Sequence, residues 1–118
     1  MVSFKYCDRG ILQVITTEQL QQLCCDDTIV MTQHLTLRCS ERGIGFDDIK
    51  LTIQHGEIIE QYPSDYPYPS CLMVYQLGND RFLHIVVGFG DNRLWVITSY
   101  YPSEAEWESN FTTRKAGV

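Results

Sequence analysis

The apolar spacing of this chain changes once, near residue 56, and that change limits the fold more than any other feature. Before it, apolar residues recur at helical intervals; after it, they fall in short runs with the spacing of strands. A helix buries a stripe and a strand buries a face, so the two halves must serve one core in different ways. Helices followed by strands predict an α+β domain. The helices should pack on one face of a four-stranded antiparallel sheet, with the other face partly open to solvent.

Three helices are predicted. The first covers about Thr17 to Cys25, capped by Thr17, with Leu20, Leu23 and Cys24 on one face. The second covers about Thr32 to Arg42. Thr32 caps it, Gly43 ends it in a left-handed conformation, and Leu35 and Leu37 can serve the core. The third covers about Asp47 to His55, with Asp47 as cap, Ile49 and Ile53 on one face and Gly56 as the stop. Four strands follow at Glu57–Tyr62, Ser70–Leu77, Arg81–Phe89 and Arg93–Tyr101, rich in Ile, Val, Tyr and Phe. Gly78-Asn79-Asp80 and Gly90-Asp91-Asn92 are tight-turn signals, so the last three strands should form a meander. From Pro102 the tail reads as a turn and a helical turn near Ala105–Glu108, docked by Trp107.

Between the first two strands lies a stiff aromatic loop. Pro63, Pro67 and Pro69 each fix their own φ and bias the preceding residue toward extended geometry. Tyr62, Tyr66 and Tyr68 are thereby held beside a sheet, where they can stack on a base or simply pack the loop down.

The 118 residues suit one domain, 1–118, with a sizeable core. A net charge of −6 counts against broad nucleic-acid binding. It leaves room for a local basic site or a basic protein partner. The five cysteines have no C-x-x-C spacing and read as reduced thiols. No metal site and no cofactor are expected. The chain has no apolar run of the roughly 20 residues that span a bilayer and no signal-like start, so a cytoplasmic, membrane-free protein is expected.

The candidate chemistry begins at His34, Arg38 and Arg42, spaced four apart on one stripe of the second helix. Two guanidinium forks and an imidazole suit an anion such as phosphate. The competing reading is an exposed face paired with Glu41, Asp47 or Asp48. His84 falls mid-strand, sharing a face with Phe82 and Val86. A three-residue turn would set it opposite Thr98 and a two-residue turn opposite Ser99. It is equally readable as a buried histidine satisfied by a hydroxyl or carbonyl. Two histidines that trade a proton, with arginines on the phosphate, would suffice for metal-free RNA cleavage.

Several segments together resemble one family. They are His34-x-x-x-Arg38-x-x-x-Arg42-Gly43-Ile44, Gly56 to Pro63, Pro67 to Leu72, Leu83-His84-Ile85-Val86, Ile97 to Pro102, and Trp107. The family is the bacterial domain of unknown function 4258. The resemblance spans a core of about 32–115 and leaves 1–31 as an N-terminal helical extension. Its members look similar to small RelE-like and MqsR-like toxins, with a RelE/barnase-like architecture and a zinc-finger antitoxin as partner. The resemblance implies an endoribonuclease of toxin–antitoxin type. His34, His84, Thr98 and Tyr100 would be catalytic, Arg38 and Arg42 would bind phosphate, and Tyr66 and Tyr68 would stack on the substrate. The acidic balance departs from such toxins. It suits the alternative, a non-catalytic module that binds an anion or a protein, or a toxin-like fold without activity. A dimer through the exposed sheet face is also open.

Overall fold

The computed structural model describes residues 14–78 and 81–116. The elements run α1 (Thr17–Gln22), β1 (Ile29–Met31), α2 (Gln33–Arg42), α3 (Phe46–His55), β2 (Glu57–Tyr62), β3 (Ser70–Gln76), β4 (Phe82–Gly90) and β5 (Arg93–Tyr100). The fold is α+β, as the change of spacing implies. The sheet differs from expectation. Among the described residues it has five strands in the order β1-β5-β4-β3-β2, and β1 pairs parallel with β5. The four later strands form the antiparallel part, so the sheet is mixed rather than four-stranded and antiparallel. Three residues, Ile29 to Met31, show no periodicity by themselves. Their partner lies more than sixty positions on, at Leu94 to Val96.

The helix ends follow local chemistry. Thr16, not Thr17, caps α1: its hydroxyl accepts from Gln19 N at 3.2 Å, and the Gln19 side chain accepts from Thr16 N at 2.9 Å. That helix stops at Gln22, short of Cys25. Thr32 caps α2 as expected, accepting from Leu35 N at 3.0 Å, and Gly43 ends it at φ 73°. The α3 cap is Gly45 rather than Asp47, and Asp48 Oδ2 accepts from Gly45 N at 3.0 Å. Gly56 ends α3 in extended geometry. A Cβ there would meet Thr52 O at 2.4 Å and Val74 O at 2.8 Å, so glycine is needed for close approach.

The helices cover one sheet face. Leu20, Leu35, Cys39, Ile44, Ile49 and Ile53 bury against Ile29, Met73, Leu83, Ile85, Val87, Leu94 and Val96. Leu37 is 58% exposed and stays out of that core. The opposite face is less open than expected. The tail from Pro102 folds across one end of it, pinned by Trp107, which is 2% exposed. The tail makes a single turn, with Glu106 N and Trp107 N both donating to Ser103 O at 3.3 Å; a Trp107–Arg114 bridge and a bond from Lys115 N to Glu106 O at 2.9 Å hold the rest together. The Tyr/Pro loop folds across the other end.

The β4–β5 turn sets the functional register. Asp91 and Asn92 both have φ 55°, the paired left-handed residues of a two-residue hairpin turn. That turn alone would put His84 opposite Ser99. An extra residue, Ile97, then bulges from β5, and the register beyond it pairs Val86 with Thr98 and His84 with Tyr100. Ser99 instead faces the core, where its Oγ has no hydrogen-bond partner among the described residues.

Candidate functional site

The α2 stripe forms as predicted and faces β5. β1 covers only the first part of β5, so the edge beyond Val96 is left to α2. Arg42 Nη1 donates to Ser99 O at 2.7 Å and satisfies a carbonyl on that edge. Thr32, His34, Leu35, Arg38, Arg42, Ile97 and Thr98 line a cleft of about 290 Å³ here. Among the described residues, His34 and Arg38 have no ion-pair partner; the acids expected beside this stripe do not reach it.

A second, larger cleft of about 570 Å³ adjoins the first and shares Thr32 and Ile97 with it. A row of neighbours across four strands explains its shape: Ser70, Gly88, Trp95 and Val30. Gly88 presents no side chain, which leaves a trough in the sheet. Tyr68 settles at this end of the sheet, stacked on Trp95 at 5.5 Å between ring centroids. Gly90 is required here because a Cβ would meet Tyr68 Cδ1 at 2.1 Å. Trp95 Nε1 donates to Gly90 O at 3.0 Å and fixes the indole. Tyr66, on the rim, is 94% exposed. The stripe and the loop tyrosines thus line two contiguous clefts. A Trp inside a strand reads in sequence as a core residue, yet strict alternation with the buried Leu94 and Val96 puts Trp95 on the other face.

His84 and Tyr100 are not among the residues lining these clefts. They sit further along the same sheet face, beneath the tail. His84 is fully buried. Its Nε2 is 2.8 Å from Phe111 O, and a carbonyl can only accept, so Nε2 carries the proton. Nδ1 then accepts from the Tyr100 hydroxyl at 3.4 Å, and the imidazole meets Trp107 edge-on at 4.6 Å. Burial pushes the His84 pKa down, partly offset by the Phe111 carbonyl. This is the satisfied core histidine of the two readings above. Burial likewise pushes the Tyr100 hydroxyl up.

The tail is latched beside this pair. Arg114 donates to Glu60 from Nε at 2.6 Å and from Nη2 at 3.1 Å, and lies 4.5 Å over the Trp107 ring. Tyr62 donates to Glu60 Oε1 at 2.5 Å. The Arg114 bonds hold the Glu60 carboxyl below its usual range, while burial and Glu60 push the Tyr62 hydroxyl up to about 12. In sequence Tyr62 groups with the loop tyrosines; in the structure it belongs to the latch.

Among the described residues, no group of three or more His, Cys, Asp or Glu side chains could hold a metal ion. No helix there is long and apolar enough to cross a membrane. The model of the family described as Domain of unknown function (DUF4258) matches residues 31–101, from β1 to just past β5. It includes every residue lining the two clefts except Val30, and leaves out α1 and the tail from Pro102. No curated protein matches the chain, and no solved structure does.

Proposed function

From the premise that this chain belongs to the DUF4258 family, whose description assigns no chemistry, we propose that the paired clefts bind RNA and that the protein is a metal-independent endoribonuclease of toxin–antitoxin type. The observation that carries the reading is the meeting of His34, Arg38, Arg42 and Thr98 in one cleft that opens onto aromatic side chains. Arg38 meets the phosphate with an unpaired guanidinium. Arg42 has donors left beyond the one spent on Ser99 O. Tyr66, Tyr68 and Trp95 offer base-stacking surface.

The cleavage step uses the substrate's own nucleophile. His34 accepts the proton of the ribose 2′-hydroxyl, the 2′-oxygen attacks phosphorus, and the bond from phosphorus to the 5′-oxygen breaks. The leaving oxygen takes a proton from the imidazolium or from water. Arg38 and the Thr98 hydroxyl stabilise the charge that builds on the phosphoryl oxygens. The products are a 2′,3′-cyclic phosphate and a 5′-hydroxyl. His84 and Tyr100 have no part in this step. The RelE-like analogy finds support in the order of helices and antiparallel strands, and an antitoxin, with or without a zinc finger, would act by covering the exposed Tyr66 and Ile97.

The alternative, a non-catalytic anion- or protein-binding module, is favoured by one observation: the second histidine that a two-imidazole mechanism needs is sealed under the tail. Incubation of purified protein with RNA in EDTA separates the two. Cleavage by the wild type, lost in His34→Ala and in Arg38→Ala but kept in His84→Gln, supports the nuclease. Bound but intact RNA supports the binding module, and cleavage unchanged in both cleft variants removes the assignment of this site.

A further inference from the structure

We infer that the larger cleft is a guanine-selective subsite for a base flanking the bound phosphate, with Asp65 as the group that reads it. This rests on the reading of the adjoining cleft as an RNA phosphate site. The two clefts share Thr32 and Ile97, so a nucleotide whose phosphate lies at Arg38 can extend its base toward Trp95. The walls fit a flat aromatic ring. The stacked Tyr68–Trp95 pair is fixed in place, and Tyr66 is free to close over a base.

Aromatic walls accept any base; the polar rim discriminates. Among the described residues, Asp65 is the one ionisable carboxylate lining this cleft. Ser70, fully buried in β3, donates its hydroxyl to Asp65 Oδ2 and so orients the carboxylate. Oδ1 accepts from no donor among the described residues. A carboxylate only accepts, so it favours a base edge that presents donors. Guanine offers two adjacent donors, N1–H and the N2 amino group. Adenine and cytosine each offer one amino group on that edge, flanked by an acceptor that a carboxylate repels. Uracil presents a single N–H between two carbonyls.

The test is calorimetric titration with three probes: inorganic phosphate, a short oligouridylate, and the same oligomer carrying one guanosine. Both oligomers carry 2′-O-methyl ribose, so they cannot be cleaved. The guanosine oligomer is expected to bind about 10-fold or more tighter than the oligouridylate, the scale of one bidentate base contact. Asp65→Asn should bring the two within about threefold of each other, by loss of that same contact, and leave phosphate binding unchanged. Tyr66→Ala, at a side chain that supports no fold contact, should weaken both oligomers alike. Equal binding of both oligomers to the wild type overturns the guanine subsite while the RNA reading stands, as does a guanosine preference that survives in Asp65→Asn. No binding of phosphate or either oligomer overturns the RNA reading itself.

Discussion

Replacing Trp107 with Ala tests the account of the tail. The indole is 2% exposed and packs between His84 on one side and Arg114 on the other. A buried Trp removes about 200 Å² from water, worth roughly 5 kcal/mol as an upper figure at about 25 cal/mol per Å². Measured Trp→Ala losses in cores run about 3–5 kcal/mol. Part of the loss here is recovered, because a terminal segment can relax where a core cannot. About 3 kcal/mol is the expected cost, equivalent to a fall in Tm of roughly 10–15 °C for a chain of this length. Thermal and urea unfolding measure it. A second readout follows from position: with the indole gone, water reaches His84, and its pKa should return toward the ordinary histidine value in a histidine NMR titration. A loss under about 1 kcal/mol, below the range for a buried indole, with the His84 titration unchanged, would refute the view that Trp107 seals this face.

Three further outcomes follow. Because burial depresses the His84 pKa, the folded state resists a proton that the unfolded chain takes up near 6.5. Stability is therefore complete above that pH and falls below it, by at most about 1.4 kcal/mol per pH unit. Glu60, also depressed, adds its own loss only below about 4.5. Urea midpoints across pH should show both steps, and His84→Gln should abolish the upper one alone. Gly90→Ala should push the Tyr68 ring off Trp95, at a cost of about 1–3 kcal/mol, visible as a changed near-ultraviolet dichroism signal and a lower urea midpoint. In native protein, maleimide should label exposed Cys25 quickly and leave Cys71 unlabelled until unfolding; Cys71 is fully buried and its thiol is pushed up to about 12 by burial.

Much of the architecture is legible in local pattern. The α2 cap at Thr32, its left-handed stop at Gly43, a tight turn within Gly90-Asp91-Asn92 and the span of β2 each follow from a few neighbouring residues, and all appear in the structure. The cap positions at Thr16 and Gly45 differ from expectation by only one or two residues; the larger misreadings share a cause, which is distance along the chain. β1 is three residues whose partner is remote. The bulge at Ile97 moves His84 from Ser99 to Tyr100, and no local signal marks it. The tail buries the face that alternation alone left open, through contacts from Trp107, Phe111 and Arg114 to residues more than twenty positions earlier.

The sequence by itself determined the α+β class, the stripe of His34, Arg38 and Arg42, and the stiff tyrosine loop, because helical period, turn chemistry and proline geometry act over a few residues. Only the tertiary structure decided how these pieces combine. It set the stripe against the free edge of β5, opened a trough at Gly88 beside the seat of Tyr68, and sent His84 beneath Trp107. Those outcomes depend on which strands become neighbours and on where a terminal segment finds apolar surface to cover. Such choices are made by burial over the whole molecule, and a window of sequence does not contain them.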